Sequence, residues 1–188
     1  MRRVAIGLVH YPVLDSKGGL VPTAVTNLDI HDLARSARTY GCSDYFIIHP
    51  IAAQRELVDR ICHHWTFGSS ADRIPDRKHA LSLVRTVSTL EEAYQRMGGR
   101  NEIEVWTTAA RKAGKVTPSA ESRRDLHAEG KPVLLLFGTG WGLAGSVIES
   151  ADRLIEPLVG AGDFNHLSVR AACAIYLDRF CAPHSAHE

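Results

Sequence analysis

LLLFGTGWGL, residues 134–143, is the stretch whose reading decides the fold. It begins inside Pro132 to Phe137, the most apolar strand candidate in the chain, and runs into three glycines at alternate positions, Gly138, Gly140 and Gly142. A glycine turn at the end of a parallel strand lets backbone N–H groups approach a ligand that a side chain would hold off. Two familiar ligands do not fit this turn. A dinucleotide loop needs GxGxxG after the first strand, whereas Leu143 holds the third glycine position and the turn comes late in the chain. A nucleoside triphosphate loop needs a lysine, and none occurs between Gly138 and Glu188. Taken alone, GxGxG is as consistent with a simple tight turn as with a ligand cradle.

Downstream, a short helix around Ala144 to Ser150, a strand at Arg153 to Ile155 and a glycine-rich loop lead to a long helix from about Leu167 to Phe180. The segment Asp163-Phe164-Asn165-His166-Leu167-Ser168 gathers polar residues at the start of that helix, where free N–H groups favour a polar ligand or a cap. A cap by Asn165 or Ser168 explains one of them and leaves the others.

Upstream, Val4 to Val9 reads as a first strand broken by His10-Tyr11-Pro12, followed by a loop with Gly18, Gly19 and Pro22. Asn27 is placed to cap a helix in which Ile30, Leu33, Ala34, Ala37 and Tyr40 recur at helical spacing, with Gly41 as its stop. Asp44 to His49 is a buried strand ended by Pro50, and a helix covers Ile51 to His64. A helical patch at His79 to Leu83 then leads into a strand at Val84 to Val87. Thr89 to Glu92 fits a capping box, and that helix stops at Gly98-Gly99. A strand at Ile103 to Thr108, a basic loop from Arg111 to Val116 and a weakly periodic helix from Ser119 to Glu129 complete the set. Strands and helices alternate throughout, which predicts one α/β domain with a parallel sheet covered on both faces.

The 188 residues suffice for one full core, and a formal charge of +1 argues against a broad polyanion-binding surface. The longest apolar run, Val133 to Phe137, is too short to cross a bilayer, and the start lacks a signal-peptide cleavage pattern, so the expected location is the cytoplasm. Cys42, Cys62, Cys173 and Cys181 show no CxxC spacing and read as reduced thiols; no metal site is expected.

Three stretches together resemble the SPOUT superfamily of RNA methyltransferases, and the resemblance covers most of the chain. LLLFGTGWGL resembles that family's second motif, a strand ending in a loop of the FGPEGGL kind. DRLIEPLVGAGDFNHLSVRAACAIYL, residues 152–177, resembles the third, and TNLDIHDLARSARTYGC, residues 26–42, resembles the first motif of the ribose 2′-O branch, with Arg35 in the arginine position. The subfamily suggested is one of RNA methyltransferases of unknown target. The resemblance implies a parallel-sheet fold with a C-terminal trefoil knot and S-adenosylmethionine as cofactor. It also implies tRNA or rRNA as substrate, modified at a ribose 2′-OH or a base nitrogen. It places Phe137, Gly138, Thr139, Gly140 and Gly142 in the adenosine pocket with Ile155, Glu156, Pro157 and Leu158, and adds Asn165, His166, Leu167 and Ser168 from the last helix. Thr107, Thr108 and Ala109 form the remaining wall.

Methyl transfer asks a protein mainly to align the acceptor with the methyl carbon and to exclude water. Arg35 stays protonated, so charge stabilisation is its expected part, with His166 among the groups that could take a proton. The plain alternative for Arg35 is an exposed pair with Asp32. Arg35, Arg38, Arg111, Lys112 and Lys115 are the expected RNA contacts. The chain departs from the pattern at Thr139 and Gly140, which replace Pro-Glu, at His166, which replaces asparagine, and at His31, which replaces glycine. These departures also permit a non-catalytic binder of an adenosyl ligand. A homodimer is expected because the last helix carries Ala171, Ala172, Ala174, Ile175, Leu177 and Phe180, more apolar surface than one packed side needs.

Overall fold

A computed structural model describes residues 1–67, 73–108 and 115–183. Its centre is a six-stranded sheet made of β1 (Val4–Val9), β4 (Tyr45–Ile48), β5 (Val84–Val87), β6 (Glu104–Thr108), β7 (Val133–Gly138) and β8 (Arg153–Ile155), in the order β5-β4-β1-β7-β6-β8. Every pairing is parallel. The apolar stretch 133–137 lies between β1 and β6, which is why it shows no polar alternation: both of its faces are covered.

Alternate residues of each strand feed two cores. Ile6, Leu8, Tyr45, Ile47, Leu135 and Phe137 pack under α1 (Asn27–Thr39), α2 (Ala52–Phe67), α3 (Pro75–Leu81), α5 (Ser119–His127) and α7 (Val169–Cys181). Ala5, Val9, Phe46, Ile48, Leu134 and Leu136 pack on the opposite side under α4 (Leu90–Arg96) and α6 (Gly145–Ser150). The result is the three-layer α/β arrangement that the alternation of elements predicts.

The helix ends follow local chemistry. Thr26, rather than Asn27, caps α1, since its side chain accepts from the Asp29 N–H. The expected capping box is present at α4: Thr89 Oγ1 accepts from Glu92 N at 3.1 Å, and Glu92 Oε2 reaches back one residue further, to Ser88 N at 2.8 Å. The helical patch expected at His79 to Leu83 is instead the end of a helix starting at Pro75, where proline at N1 costs no hydrogen bond. The last helix begins at Val169, two residues later than its periodicity suggests, because Ser168 caps it.

The loop after β1 has more structure than its glycines predict. Val13–Leu14 (β2) and Leu20–Val21 (β3) form an antiparallel ribbon closed by Asp15, whose carboxylate accepts from Lys17 N and Gly19 N, each at 2.8 Å. Two-residue strands are too short to leave a periodic signature. This ribbon grips the 138–143 turn: Leu14 N donates to Gly142 O at 2.9 Å, and Trp141 N donates to Leu14 O at 3.0 Å.

Candidate functional site

From β1 the chain moves outward to β4, and from β7 it moves across β6 to β8, so the connections diverge between the adjacent carboxyl ends of β1 and β7. Such a divergence opens a crevice at the strand ends. Here the crevice is a cleft of about 900 Å³, ample for a ligand the size of a nucleoside.

Its floor is the glycine turn. Gly140 has φ +59°, and a Cβ there would lie 3.0 Å from Leu14 O and 3.3 Å from Thr23 Cγ2, so only glycine lets the turn sit this close to the ribbon. Gly142, with φ +110°, has nothing within 4 Å of a built Cβ and leaves backbone open. Thr139 anchors the turn to β1, its hydroxyl donating to Val9 O at 3.1 Å. That hydroxyl also meets Thr23 Oγ1, which in turn contacts His10 Nδ1 at 3.0 Å. His10 is fully buried, and its Nε2 has no partner among the described residues. Burial, with His49 adding to it, lowers the His10 pKa to about 4. His49 stacks on His10 at 5.4 Å between centroids. Its Nδ1 accepts from Ile51 N at 3.1 Å, so its Nε2 carries the proton donated to Thr23 O at 2.9 Å. Burial is the main reason that the His49 pKa is also lowered.

The cleft is walled by Thr26 and Asp29 of the α1 start, by Leu158, by Asp163, by Asn165 to Arg170, and by Ala172 and Tyr176. Asn165 Nδ2 donates to Leu158 O at 2.9 Å and closes the loop before α7, while Ser168 Oγ accepts from Ala171 N at 3.2 Å. Arg170 Nη1 meets Asp29 Oδ1 at 2.9 Å, and Arg170 Nε meets Asp32 Oδ2 at 3.5 Å. Asp29 is 5% exposed and takes a further hydrogen bond from Thr26 Oγ1 at 2.6 Å.

Among the expected cofactor contacts, Thr108, Phe137, Gly138, Thr139, Gly140, Gly142, Leu158, Asn165, His166, Leu167 and Ser168 all line this cleft. Four others lie away from its wall. Thr107 is buried in β6. Ile155 is buried in β8 and paired with Thr108. Glu156 accepts from Ser119 N at 2.7 Å, a contact that lowers its pKa. Pro157 is half-buried. Ala109, Arg111 and Lys112 lie outside the described residues, and Lys115 is exposed.

Arg35 is exposed on α1, six residues and about 9 Å along the helix from Asp29, and it is not part of the cleft wall. Asp32 pairs with Arg170 rather than with Arg35. Arg38 donates to His79 O at 3.1 and 2.9 Å and to Ser82 Oγ at 2.9 Å, which ties α1 to α3.

The residues missed in the sequence are Asp29, Arg170, Trp141, Thr23, His10 and His49. A signal existed for the histidines, because LVHYP and IIHP each put a polar residue at the carboxyl end of a buried strand. The Asp29–Arg170 pair joins residues 141 apart and leaves no local trace.

A parallel sheet with helices on both faces and a ligand-sized cleft over a glycine turn at the divergence of its strands defines an α/β protein with a crevice at its carboxyl edge suited to a small molecule. Residues 3–182 match the family of SAM-dependent RNA methyltransferases, and the chain belongs to it. A relative, a tRNA (guanine-N(1)-)-methyltransferase of Oleidesulfovibrio alaskensis, is 47% identical over 182 residues, which are 95% of this chain and 42% of that protein. The chain thus spans less than half the length of that relative. Among solved structures, TrmJ from Z. mobilis superposes with a TM-score of 0.64 at 18% identity, over 98% of this chain and 70% of that one. The TrmH/SpoU tRNA modifying enzyme of A. aeolicus gives 0.59 at 13% identity, over 95% and 74%. The fold is therefore one that these methylases share, and the family to which the chain belongs is one of SAM-dependent RNA methyltransferases.

Proposed function

We propose that S-adenosylmethionine binds in the cleft over Gly138 to Gly142 and that the chain transfers its methyl group to tRNA. One observation carries this reading: three segments far apart in sequence, the α1 start, the glycine turn and residues 158–170, wall a single cleft of about 900 Å³. The cleft suits the ligand chemically. Open backbone at Gly142 offers N–H and C=O groups to an adenine edge, while Phe137, Leu143, Ile148 and Leu158 give the ring an apolar bed. Asp15 and Asp163 are carboxylates on the cleft wall available to ribose hydroxyls or an amino group.

The bound cofactor supplies an activated methyl group on a sulfonium. The chain's own residues then orient the acceptor, exclude water and accept one proton. His166, exposed on the cleft wall, is the group placed to take that proton. Arg170, held by Asp29 and Asp32, presents a guanidinium to the same space, whereas Arg35 lies further along α1, where it would meet a phosphate flanking the acceptor. Lys115, with Arg111 and Lys112, extends that RNA contact. Thr107, Ile155, Glu156 and Pro157 support the wall from behind.

A trefoil knot formed by the chain from β7 to α7 belongs to this proposal, supported by the likeness to SPOUT methylases and by the packing of α7 against α1 and α5. So does a homodimer, supported by the half-buried Ala171, Ala174 and Ile175 on α7. A cytoplasmic location belongs to the proposal as well, because tRNA is the proposed substrate.

The test is incubation with methyl-labelled S-adenosylmethionine and separate pools of tRNA and rRNA, followed by digestion to nucleosides. Label in one nucleoside from tRNA supports the proposal, and its position on ribose or base names the acceptor. Cofactor binding without label in any RNA would leave a non-catalytic binder.

A further inference from the structure

Trp141, Phe164 and His166 come from two separate segments, yet their rings meet. His166 lies edge-on to Trp141 at 6.4 Å between centroids and to Phe164 at 5.3 Å. Trp141 is 60% exposed and Phe164 is 79% exposed. None of these rings is needed to build the local structure: the turn is shaped by Gly140 and Gly142, and α7 is capped by Ser168. Isolated exposed aromatics are ordinary, but a group of rings in mutual contact at the rim of a binding cleft marks a contact surface.

We infer that Trp141, Phe164 and His166 form an open aromatic cage that stacks an unpaired nucleobase of the RNA substrate and so presents its nucleotide to the cleft; this rests on the function proposed above. Edge-on contacts leave ring faces free, and every base has a π-face to lay against them. The cage stands at the rim, whereas the apolar bed for the cofactor's adenine, Phe137, Leu143 and Leu158, lies inside. Asp163, on the same loop as Phe164 and on the cleft wall, is an acceptor that repels phosphate and favours the N–H groups of a base edge. The site therefore takes a base and not a length of backbone, which requires the acceptor nucleotide to be single-stranded or turned out of its helix.

The test uses the full chain with Trp141→Ala, Phe164→Ala and Trp141→Phe. Steady-state methylation of a tRNA pool gives KM for RNA, calorimetry gives Kd for S-adenosylmethionine, and light scattering gives the mass. Quenching of tryptophan fluorescence by a short single-stranded oligoribonucleotide reads stacking without catalysis. The cage predicts RNA KM raised about tenfold by Trp141→Ala, with cofactor Kd and mass unchanged. It also predicts partial recovery in Trp141→Phe and quenching in the wild type that is absent from Trp141→Ala. Unchanged KM and quenching would overturn it, as would a loss confined to cofactor binding, which would put the rings on the adenine, or a change of mass, which would put them in a dimer contact. If the wild type methylates no RNA, the proposed function fails by itself, and the quenching measurement still decides whether the rings stack a base.

Discussion

Replacing Gly140 by valine tests whether the glycine turn is the cofactor floor. At φ +59° an L residue sits in the left-handed region, which costs about 1–2 kcal/mol, and a β-branched side chain lies at the upper end. The new Cβ would also stand 3.0 Å from Leu14 O and 3.3 Å from Thr23 Cγ2. If the turn backs away to relieve these contacts, the 3.0 Å hydrogen bond from Trp141 N to Leu14 O is lost, at about 1 kcal/mol. The total is about 2–3 kcal/mol. Strain that persists lowers stability, at roughly 2–4 °C of Tm per kcal/mol in a chain of this size, and strain relieved by moving the turn appears as weaker binding. With the turn displaced, Kd for S-adenosylmethionine should rise about 30-fold or more in isothermal calorimetry. Gly145→Ala is the control: Gly145 has no positive φ, and its nearest neighbour is a flexible Glu149 Oε1 at 3.9 Å, so affinity should hold. A folded Gly140→Val protein with wild-type affinity and wild-type Tm would refute the reasoning.

The other predictions concern charge. Arg170→Leu leaves the nearly buried Asp29 carboxylate with the Thr26 hydroxyl alone and should cost about 2 kcal/mol in urea unfolding, discounted from a fully buried pair because Arg170 is 31% exposed; a loss under about 0.5 kcal/mol would contradict the pairing. Because His10 titrates at about 4 in the folded chain and near 6.5 unfolded, the unfolded state binds the extra proton as pH falls. The His10 contribution to stability should therefore be level above about pH 6.5, decline by about 3 kcal/mol between pH 6.5 and 4, and change no further below, so the difference in unfolding free energy between wild type and His10→Gln should shift by about that amount across this window. Arg35→Ala should raise KM for RNA and lessen its salt dependence, with little change in cofactor affinity; a hundredfold fall in single-turnover rate at saturating RNA would instead place Arg35 at the reacting atoms.

The layered fold was legible in the sequence because buried parallel strands announce themselves as apolar runs. Val4–Val9, Val84–Val87 and Arg153–Ile155 coincide with the strands, and β7 differs from its expected bounds only by the exchange of Pro132 for Gly138. The glycine turn was legible for a related reason, since positive φ at Gly140 and Gly142 restricts those positions to one residue type. Less visible was what holds the turn in place. The ribbon at Val13–Leu14 acts through backbone hydrogen bonds, which any sequence can make. The reach of Arg35 could not be read either, because helical periodicity gives the face of a residue but not its distance from a cleft formed by α7. Asp29 and Arg170 meet only after the chain has folded.

The central claim is that the three separated segments bind one S-adenosylmethionine, and hydrogen exchange read by mass spectrometry with and without the cofactor tests it most directly. The account predicts one site per chain and slowed exchange in the segments spanning residues 137–144 and 158–172, with a smaller effect at the α1 start and none in α4. Saturable binding that protects some other part of the chain, or protects none of these segments, would contradict it.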